Sequence, residues 1–290
     1  MMLYKIKLLL DSIVKSIKYS ITNFLSKKIV KSSPDMDTLV VSLTTYNARL
    51  KTVFLTLESI FDQNFDNYIV VLYLSTQDVT EDKLPKSILR LKSRGLIIVF
   101  SDENIRSYKK IHYALEDYPS NSIITADDDI IYPKDWISNL NDGSVKYPGD
   151  IIFNRGHCLS FSNDGNLESY DSFPLANKDN LLYNLPTGVS GILYPTGCFH
   201  HDVRDKELFL ELAPYADDLW YKVMSFKNGT LCRLATDKSI HFTPILGSQG
   251  TSLRSKNLSK GDINNDTQLK SLFEYYSLSH LNNFSSDGLK

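Results

Sequence analysis

The chain has 290 residues, of which 42% are hydrophobic and 11% aromatic, and its formal net charge is −2. This composition excludes a mainly disordered protein and allows one large core or two smaller ones. The near-balance of charge argues against a nucleic-acid binder, which needs a broad basic face. We find neither an apolar run long enough to span a bilayer nor a secretory signal. Because the three cysteines (Cys158, Cys198 and Cys232) are odd in number and lack zinc-like spacing, we expect a reducing, cytoplasmic compartment.

Residues 1–33 are predicted to form a basic amphipathic helix that stands apart from the rest of the chain. They contain seven lysines and one aspartate, a net charge of +6 in a chain whose total is −2. Apolar residues recur at steps of three and four, the spacing of one helical face, and most lysines lie off that face. We expect the helix to lie on the anionic inner surface of the cell membrane, although packing on its own domain or on a partner protein would use the same pattern. The apolar positions are Leu3, Ile6, Leu9, Leu10, Ile13, Ile17, Ile21, Phe24 and Leu25, and the lysines are Lys5, Lys15, Lys18, Lys27 and Lys28.

After a break at Ser32-Ser33-Pro34, short apolar runs alternate with helical patterns as far as residue 147. Because the runs are apolar on both faces, we expect an α/β fold with a mainly parallel central sheet and helices on both sides. The carboxyl ends of such strands form one edge, where ligands bind. The chain has neither a Gly-rich dinucleotide fingerprint nor a P-loop lysine motif. The predicted strands are 38–43, 68–74, 96–100 and 122–126, and the predicted helices are 50–61, 82–93, 105–117 and 136–147.

The second half of the chain has a less regular pattern. Residues 188–191, Gly-Val-Ser-Gly, are predicted to form a flexible bend. Residues 247–265 are rich in Gly, Ser, Asn and Lys, which is typical of a mobile loop. The predicted strands here are 151–154 and 192–194, with a strand-like stretch at 238–240, and the predicted helices are 214–227 and 267–281.

Three consecutive aspartates, Asp127-Asp128-Asp129, directly follow the fourth predicted strand and therefore lie at the ligand edge. In an extended backbone, Asp127 and Asp129 would face one way and Asp128 the other. Two ionised carboxylates about 6 Å apart repel by roughly 3 kcal/mol at an effective dielectric constant of about 20, and a divalent cation reverses the sign. A helix cap before Pro133 is the alternative, but a cap uses only one aspartate. We therefore predict a Mg²⁺ or Mn²⁺ site at Asp127 and Asp129.

Two segments, Val41–Asn47 after the first strand and Ala126–Pro133 after the fourth, resemble the GT-A-type glycosyltransferases, in particular the family-2-like enzymes of bacterial capsule and lipopolysaccharide gene clusters. The resemblance covers residues 38–242. It implies a GT-A nucleotide-sugar-binding fold and transfer of a sugar, expected to be UDP-linked, to a saccharide or lipid-linked acceptor. It also implies a division into a nucleotide-sugar-binding half (34–133) and an acceptor-binding half (134–246), followed by a loop and a C-terminal helix (247–290).

The resemblance implies that the turn after the first strand holds the nucleobase and ribose. Thr44, Thr45 and Tyr46 occupy this turn, and Arg49 is near it. The tyrosine would stack on the base, and the hydroxyl groups would bond its edge. A turn that only caps the following helix is the alternative for this segment.

The resemblance also implies a donor-facing lysine at the start of the helix before the acidic strand. Arg106, Lys109 and Lys110 cluster there, although a helix dipole disfavours cations at its N-terminus. A bound diphosphate would compensate for this, and a solvated basic face is the alternative. Lys109 is slightly favoured over Lys110 as the donor contact, and the resemblance adds Asp127 and Asp128 to the donor-binding set.

Asp217-Asp218 matches the acidic pair that supplies the catalytic base in these enzymes, where the first position is often Glu. Asp218 would accept the proton of the acceptor hydroxyl, and Asp217 would orient it or contact the acceptor. Trp220 would present a ring face to the acceptor sugar, and Gly191 is assigned to the same site. His241 would be a third metal ligand. Helix capping for the aspartates and a purely structural histidine are the alternatives.

The implied reaction is an inverting displacement at the anomeric carbon, with a loop carrying Arg254 and Lys256 closing over the donor. A glycoside hydrolase would not need three aspartates at a strand end. A sugar nucleotidyltransferase usually has a Gly-rich basic signature in the place of Thr44–Asn47. A non-catalytic member of a polysaccharide assembly complex stays open as a further alternative.

Overall fold

The computed structural model describes residues 2–248 and 263–278 and contains a seven-stranded central sheet. Almost every predicted strand and helix of the first half is present, with ends that differ by a few residues. The strands are β1 (Leu39–Thr44), β2 (Tyr68–Ser75), β3 (Ile97–Ser101), β4 (Ile123–Ala126), β5 (Ile130–Ile131), β6 (Ile151–Phe153), β7 (Gly156–Cys158), β8 (Asn184–Pro186), β9 (Ile192–Tyr194), β10 (Cys232–Leu234) and β11 (Thr243–Pro244). The helices are α1 (Met2–Leu25), α2 (Val53–Phe61), α3 (Lys86–Lys92), α4 (Lys109–Asp117), α5 (Trp136–Lys146), α6 (Lys206–Leu212), α7 (Asp217–Lys227) and α8 (Asn265–Tyr275).

The strand order of the sheet is β10-β6-β9-β4-β1-β2-β3. All neighbours are parallel except β9, which runs antiparallel to both β4 and β6. The protein therefore has the expected α/β class with a mostly parallel sheet, and strands from both halves of the chain enter one sheet. Because β1 and β4 are parallel neighbours, their carboxyl ends place the turn after Thr44 beside the three aspartates.

Strand β1 is buried on both faces, as its apolar sequence predicts. Val41 and Leu43 pack in the cluster that includes Val53 and Leu57 of α2. Val40, on the opposite face, packs with β2 and with α4. Helices therefore cover both sides of the sheet, which is why alternation of polar and apolar residues is missing from this strand.

The chain after β9 departs most from the predicted elements. The strand-like stretch at 238–240 is not a strand, and the short strand β11 follows it and pairs antiparallel with β5. This pairing continues where the Ile245 amide donates to the carbonyl oxygen of Asp129 at 2.7 Å. The predicted loop 247–265, with Arg254 and Lys256, lies almost wholly outside the described residues, so its closure stays a prediction.

Helix α1 is confirmed as a helix, and its polar face packs on the domain. The Ser12 hydroxyl donates to the carbonyl oxygen of Pro244 at 2.8 Å, and the Asn23 amide donates to Glu58 at 2.8 Å. Tyr19 is buried in a small cluster that includes Ile131 and Ile245. The apolar stripe faces away from these contacts and is exposed. Within the described residues, no helix combines the length and the apolar character needed to cross a bilayer.

Candidate active site

The aspartates Asp128 and Asp129 share one basic partner, Arg49. The guanidinium contacts the carboxylate of Asp128 at 2.6 Å and that of Asp129 at 3.1 Å, and the Thr45 hydroxyl donates to Asp128 at 2.6 Å. The expected alternation of the three side chains is wrong here because residues 128 and 129 form a turn instead of extended backbone. Thr45 and Arg49 thus reach the acidic cluster from the turn after β1.

Asp127 points elsewhere, to the lysine at the start of α4. The ammonium group of Lys110 lies 2.9 Å from the Asp127 carboxylate and 3.4 Å from that of Asp217, so one cation bridges two of the predicted site groups. The Ser107 hydroxyl donates to Asp217 at 2.8 Å. These contacts join the ends of β4, α4 and α7, which are far apart in the sequence.

Lys109 points away from the acidic cluster, and its preference over Lys110 as the donor contact stays a prediction. Its ammonium group lies 3.0 Å from the Asn104 side-chain oxygen and 3.5 Å from the carboxylate of Asp78, beyond the ends of β3 and β2. The reason is the start of α4, where a short 3-10 helix, Arg106–Tyr108, precedes Lys109 and sets the register of the helix. Arg106 has a φ of +57°, an uncommon conformation for a residue other than glycine.

Asp218 lies at the first turn of α7 and is held by a backbone amide. The N–H of Gly188 donates to both carboxylate oxygens of Asp218, at 3.2 and 3.3 Å. A methyl group placed on Gly188 would lie 3.0 Å from the Lys110 ammonium, 3.3 Å from Asp127 and 3.5 Å from Asp218. Gly188 is therefore at the centre of the site. The Gly-Val-Ser-Gly pattern of residues 188–191 predicts a flexible bend and does not indicate this role.

The charges of the cluster shift three pKa values. Burial and the charge of Asp127 raise the pKa of Asp129 to about 6. Burial and the charge of Asp217 raise the pKa of Asp218 to about 7. Burial would lower the pKa of Lys110, but the neighbouring carboxylates, of which Asp127 acts most strongly, raise it well above its usual value. Lys110 is thus charged at neutral pH, whereas Asp218 is poised between its two protonation states.

Of the two residues assigned to the acceptor, Trp220 is placed differently from expectation, and Gly191 packs tightly against a core ring. Trp220 is fully buried, and its indole N–H donates to the carbonyl oxygen of Val203 at 3.1 Å, so it has no free ring face for a sugar. Gly191 has a φ of +88°, and a methyl group on it would lie 2.5 Å from the ring of Trp136. Gly191 thus has a packing role, because only a residue without a side chain fits against that ring.

Of the residues predicted to hold the donor, Thr44 is the last residue of β1 instead of part of the turn, and Thr45 and Tyr46 follow it. The Thr44 hydroxyl donates to the carbonyl oxygen of Tyr73 at 2.8 Å, which fixes it to β2. Tyr46 is half-buried, with the Arg49 guanidinium 5.8 Å from its ring centre. Contact of these side chains with a nucleobase stays a prediction.

The cluster is rich in carboxylates, the ligands that a hard divalent cation prefers, but among the described residues no three of them bring ligand atoms within 4.8 Å of one another. In the part of the chain that the structure describes, the five carboxylates of residues 127–129, 217 and 218 face two basic side chains, those of Arg49 and Lys110. Carboxylate oxygens in such excess are what Mg²⁺ and Mn²⁺ bind. His241, however, is exposed, and its Nδ1 lies 2.7 Å from the neighbouring carbonyl oxygen of Phe242. Within residues 2–248 and 263–278, His241 and two of these carboxylates do not form a group of three whose ligand atoms all lie within 4.8 Å of one another.

The two glycines of residues 188–191 should respond differently to a methyl group. We expect Gly188→Ala to fold normally but to lower turnover roughly ten- to a hundredfold, because the methyl group displaces Lys110 from Asp127. We expect Gly191→Ala to cost about 2–5 kcal/mol of stability, because its positive φ and the buried Trp136 ring leave no room. Urea unfolding and turnover of both variants check this. Equal effects of the two changes on turnover at equal stability would contradict it.

No protein-family model matches the chain, and no curated protein matches its sequence. In structure it is similar to TarS 1–349 of S. aureus in complex with UDP, with 16% identity, a TM-score of 0.47, and coverage of 70% of this chain and 59% of that one. It is also similar to the mannosyltransferase PcManGT of Pyrobaculum calidifontis in complex with GDP-Man and Mn²⁺, with 14% identity, a TM-score of 0.46, and coverage of 96% and 81%. Because both TM-scores are below 0.5, these similarities do not support a function for this chain, and the proposal below is based on its own residues.

Proposed function

We propose that the chain is a metal-dependent GT-A-type glycosyltransferase that moves a sugar from a nucleotide-sugar donor to an acceptor hydroxyl. The observation that carries the proposal is the convergence of Asp127, Lys110, Asp217 and Asp218 around Gly188. These groups come from three separate segments, and the fold brings them to the carboxyl end of β4. A merely structural acidic turn would not need the acidic start of α7 beside it.

Asp218 is the proposed catalytic base. Its carboxylate is fixed by the Gly188 amide, and its raised pKa of about 7 makes it a stronger proton acceptor than an ordinary aspartate. Asp217 is bound by Ser107 and Lys110 and keeps Asp218 oriented. A base on one side of the sugar and a departing diphosphate on the other give direct displacement, which inverts the anomeric carbon.

Asp127 and Asp129 are the proposed ligands of Mn²⁺ or Mg²⁺, without His241. When bound, the cation supplies charge neutralisation for the departing nucleoside diphosphate. Arg49 and Lys110 already neutralise part of the carboxylate charge, and both lie where a diphosphate would meet them. A bound diphosphate would thus meet one buried cation, Lys110, and one half-buried cation, Arg49.

The donor is proposed to be UDP-linked and the acceptor a saccharide or a lipid-linked sugar of a bacterial surface polysaccharide. The turn of Thr44, Thr45 and Tyr46 would hold the base and ribose. Lys109, with Asp78 and Asn104, lines the ends of the neighbouring strands and would lie on the nucleotide side.

A donor screen tests the proposal. Nucleotide release from a panel of nucleotide sugars is measured with manganese, with magnesium and with EDTA, for the wild type, Asp129→Asn and His241→Ala. We expect slow hydrolysis of one donor that is lost with EDTA and in Asp129→Asn but kept in His241→Ala. If no donor is hydrolysed, thermal shift measures metal-dependent nucleotide binding, and the absence of binding to every nucleotide would refute the proposal. Loss of activity in His241→Ala would restore the histidine to the ligand set.

A further inference from the structure

The exposed side of α1 and of the segment after it forms the most apolar surface of the described chain. Ten large apolar side chains there are each between 37% and 74% exposed. Soluble monomeric domains rarely expose so many contiguous apolar groups without a binding partner. We call this surface the outer face of α1; its residues are Ile6, Leu9, Leu10, Ile13, Val14, Ile17, Ile21, Phe24, Leu25 and Ile29.

The opposite, polar face fixes the orientation of this helix. Asn23 is buried between Glu58, to which it donates, and Arg90, from which it accepts at 2.8 Å. Lys18 pairs with Asp62 at 2.6 Å. Rotating α1 to bury its apolar side would break these contacts and leave the buried Glu58 with fewer partners. The exposure of the outer face is therefore built into the packing of the helix.

Basic side chains border the outer face. Lys7 and Lys27 are exposed on α1 and just after it. At the C-terminal end of α1, the guanidinium of Arg90 lies 4.0 Å from the centre of the Phe24 ring. Arg90 also lines an open groove of about 320 Å³ together with Lys86, Ser93 and the exposed Leu89. Apolar side chains flanked by cations match the acyl and headgroup layers of an anionic bilayer.

We propose that the outer face of α1 lies in the interfacial layer of a membrane that contains anionic lipid. A second copy of the chain is the competing occupant, and charge disfavours it. Lys7 and Lys27 are exposed and Arg90 lies against Phe24 at the border of this face, so two outer faces packed together would bring these cations close to one another, whereas anionic headgroups complement them. The proposal does not depend on sugar transfer, but it would hold the active site beside lipid-linked acceptors.

Vesicle co-sedimentation of the full chain tests this surface. The probes are vesicles of phosphatidylcholine alone and of phosphatidylcholine mixed with phosphatidylglycerol, at low and high salt. We expect binding to the anionic vesicles that weakens at high salt. The double change Ile17→Glu and Ile21→Glu should reduce the partition coefficient by at least roughly tenfold. The matched control is Val145→Glu, since Val145 is 71% exposed on α5, outside the outer face, and its replacement should leave binding unchanged.

Two results would overturn the proposal. One is equal binding of the double variant and the wild type to anionic vesicles, or no binding by either. The other is a wild-type dimer in light scattering that the double variant converts to a monomer while vesicles bind neither protein. Circular dichroism of each variant controls for folding. Vesicle binding without donor hydrolysis would leave this surface supported while the proposed transfer fails, so the two hypotheses are tested separately.

Discussion

Asp218→Asn should reduce sugar transfer by roughly a thousandfold while leaving donor binding intact, because a general base contributes about 10² to 10⁴ in rate. Asparagine has nearly the same shape, and its side-chain oxygen can still accept from the Gly188 amide, so the site should keep its geometry. Single-turnover rates with the donor found in the screen give the loss, and nucleotide affinity by calorimetry gives the control. An equal loss in donor affinity would assign Asp218 to binding instead.

The pH profile of the wild type follows from the same carboxyl. Asp218 must be ionised to accept a proton, and its pKa is raised to about 7, so the rate should fall tenfold per pH unit below about pH 7.

The effect of pH on the stability of the protein has the opposite direction. The folded state holds this proton more tightly than the unfolded chain, so stability falls as pH rises toward 7. Asp218→Asn should therefore be at least as stable as the wild type at mildly alkaline pH, which thermal unfolding measures.

Arg94→Met should destabilise the protein by about 3–5 kcal/mol, the largest effect on stability that we expect from one substitution. Glu58 is fully buried and contacts the Arg94 guanidinium at 2.6 Å and the Asn23 amide at 2.8 Å. Removing the arginine leaves a carboxylate in the interior without its counter-charge. It also removes the bond from Arg94 to the carbonyl oxygen of Lys28, which ties the segment after α1 to the domain.

A nearby surface pair supplies the control for this change. Lys92 and Glu81 lie 2.8 Å apart, and about half or more of each side chain is exposed. Because solvent screens such pairs, Lys92→Met should cost at most about 1 kcal/mol. Urea unfolding of both variants gives the comparison. Similar losses for Arg94→Met and Lys92→Met would show that the buried pair contributes no more than an exposed one.

The sequence predicted the fold best for the strands that are buried on both faces of the sheet. The apolar runs of β1 to β4 identify a covered parallel sheet, and the end of β4 then identifies the edge on which Asp127 lies. The acidic start of α7 and the lysines before β4 could be recognised as candidate site residues. The group that holds Asp218, the amide of Gly188, could not be recognised, because a backbone group leaves no trace in the residue pattern beyond a glycine.

Other features of the site also depend on local geometry. Lys109 and Lys110 are neighbours, and a helix turns about 100° between them. Only the 3-10 helix before α4 decides which one meets Asp127. Trp220 stands two residues after Asp218 and therefore points to a different side of α7, into the core. For α1, the pattern left open whether the apolar face meets a membrane or the domain, and the structure has this face exposed.

The attachment of α1 has a practical consequence for anyone who shortens this protein. The Ser12 hydroxyl bonds Pro244 in β11, and the next residue, Ile245, bonds the backbone of Asp129. Tyr19 packs against the same Ile245. Helix α1 thus supports β11, and the residue after β11 in turn bonds the backbone of Asp129, one of the proposed metal ligands. A shortened protein that begins after residue 33 would lack the exposed apolar face. It would also lack the contacts of Ser12 and Tyr19 that support the acidic cluster, so the proposed catalytic site should become less rigid.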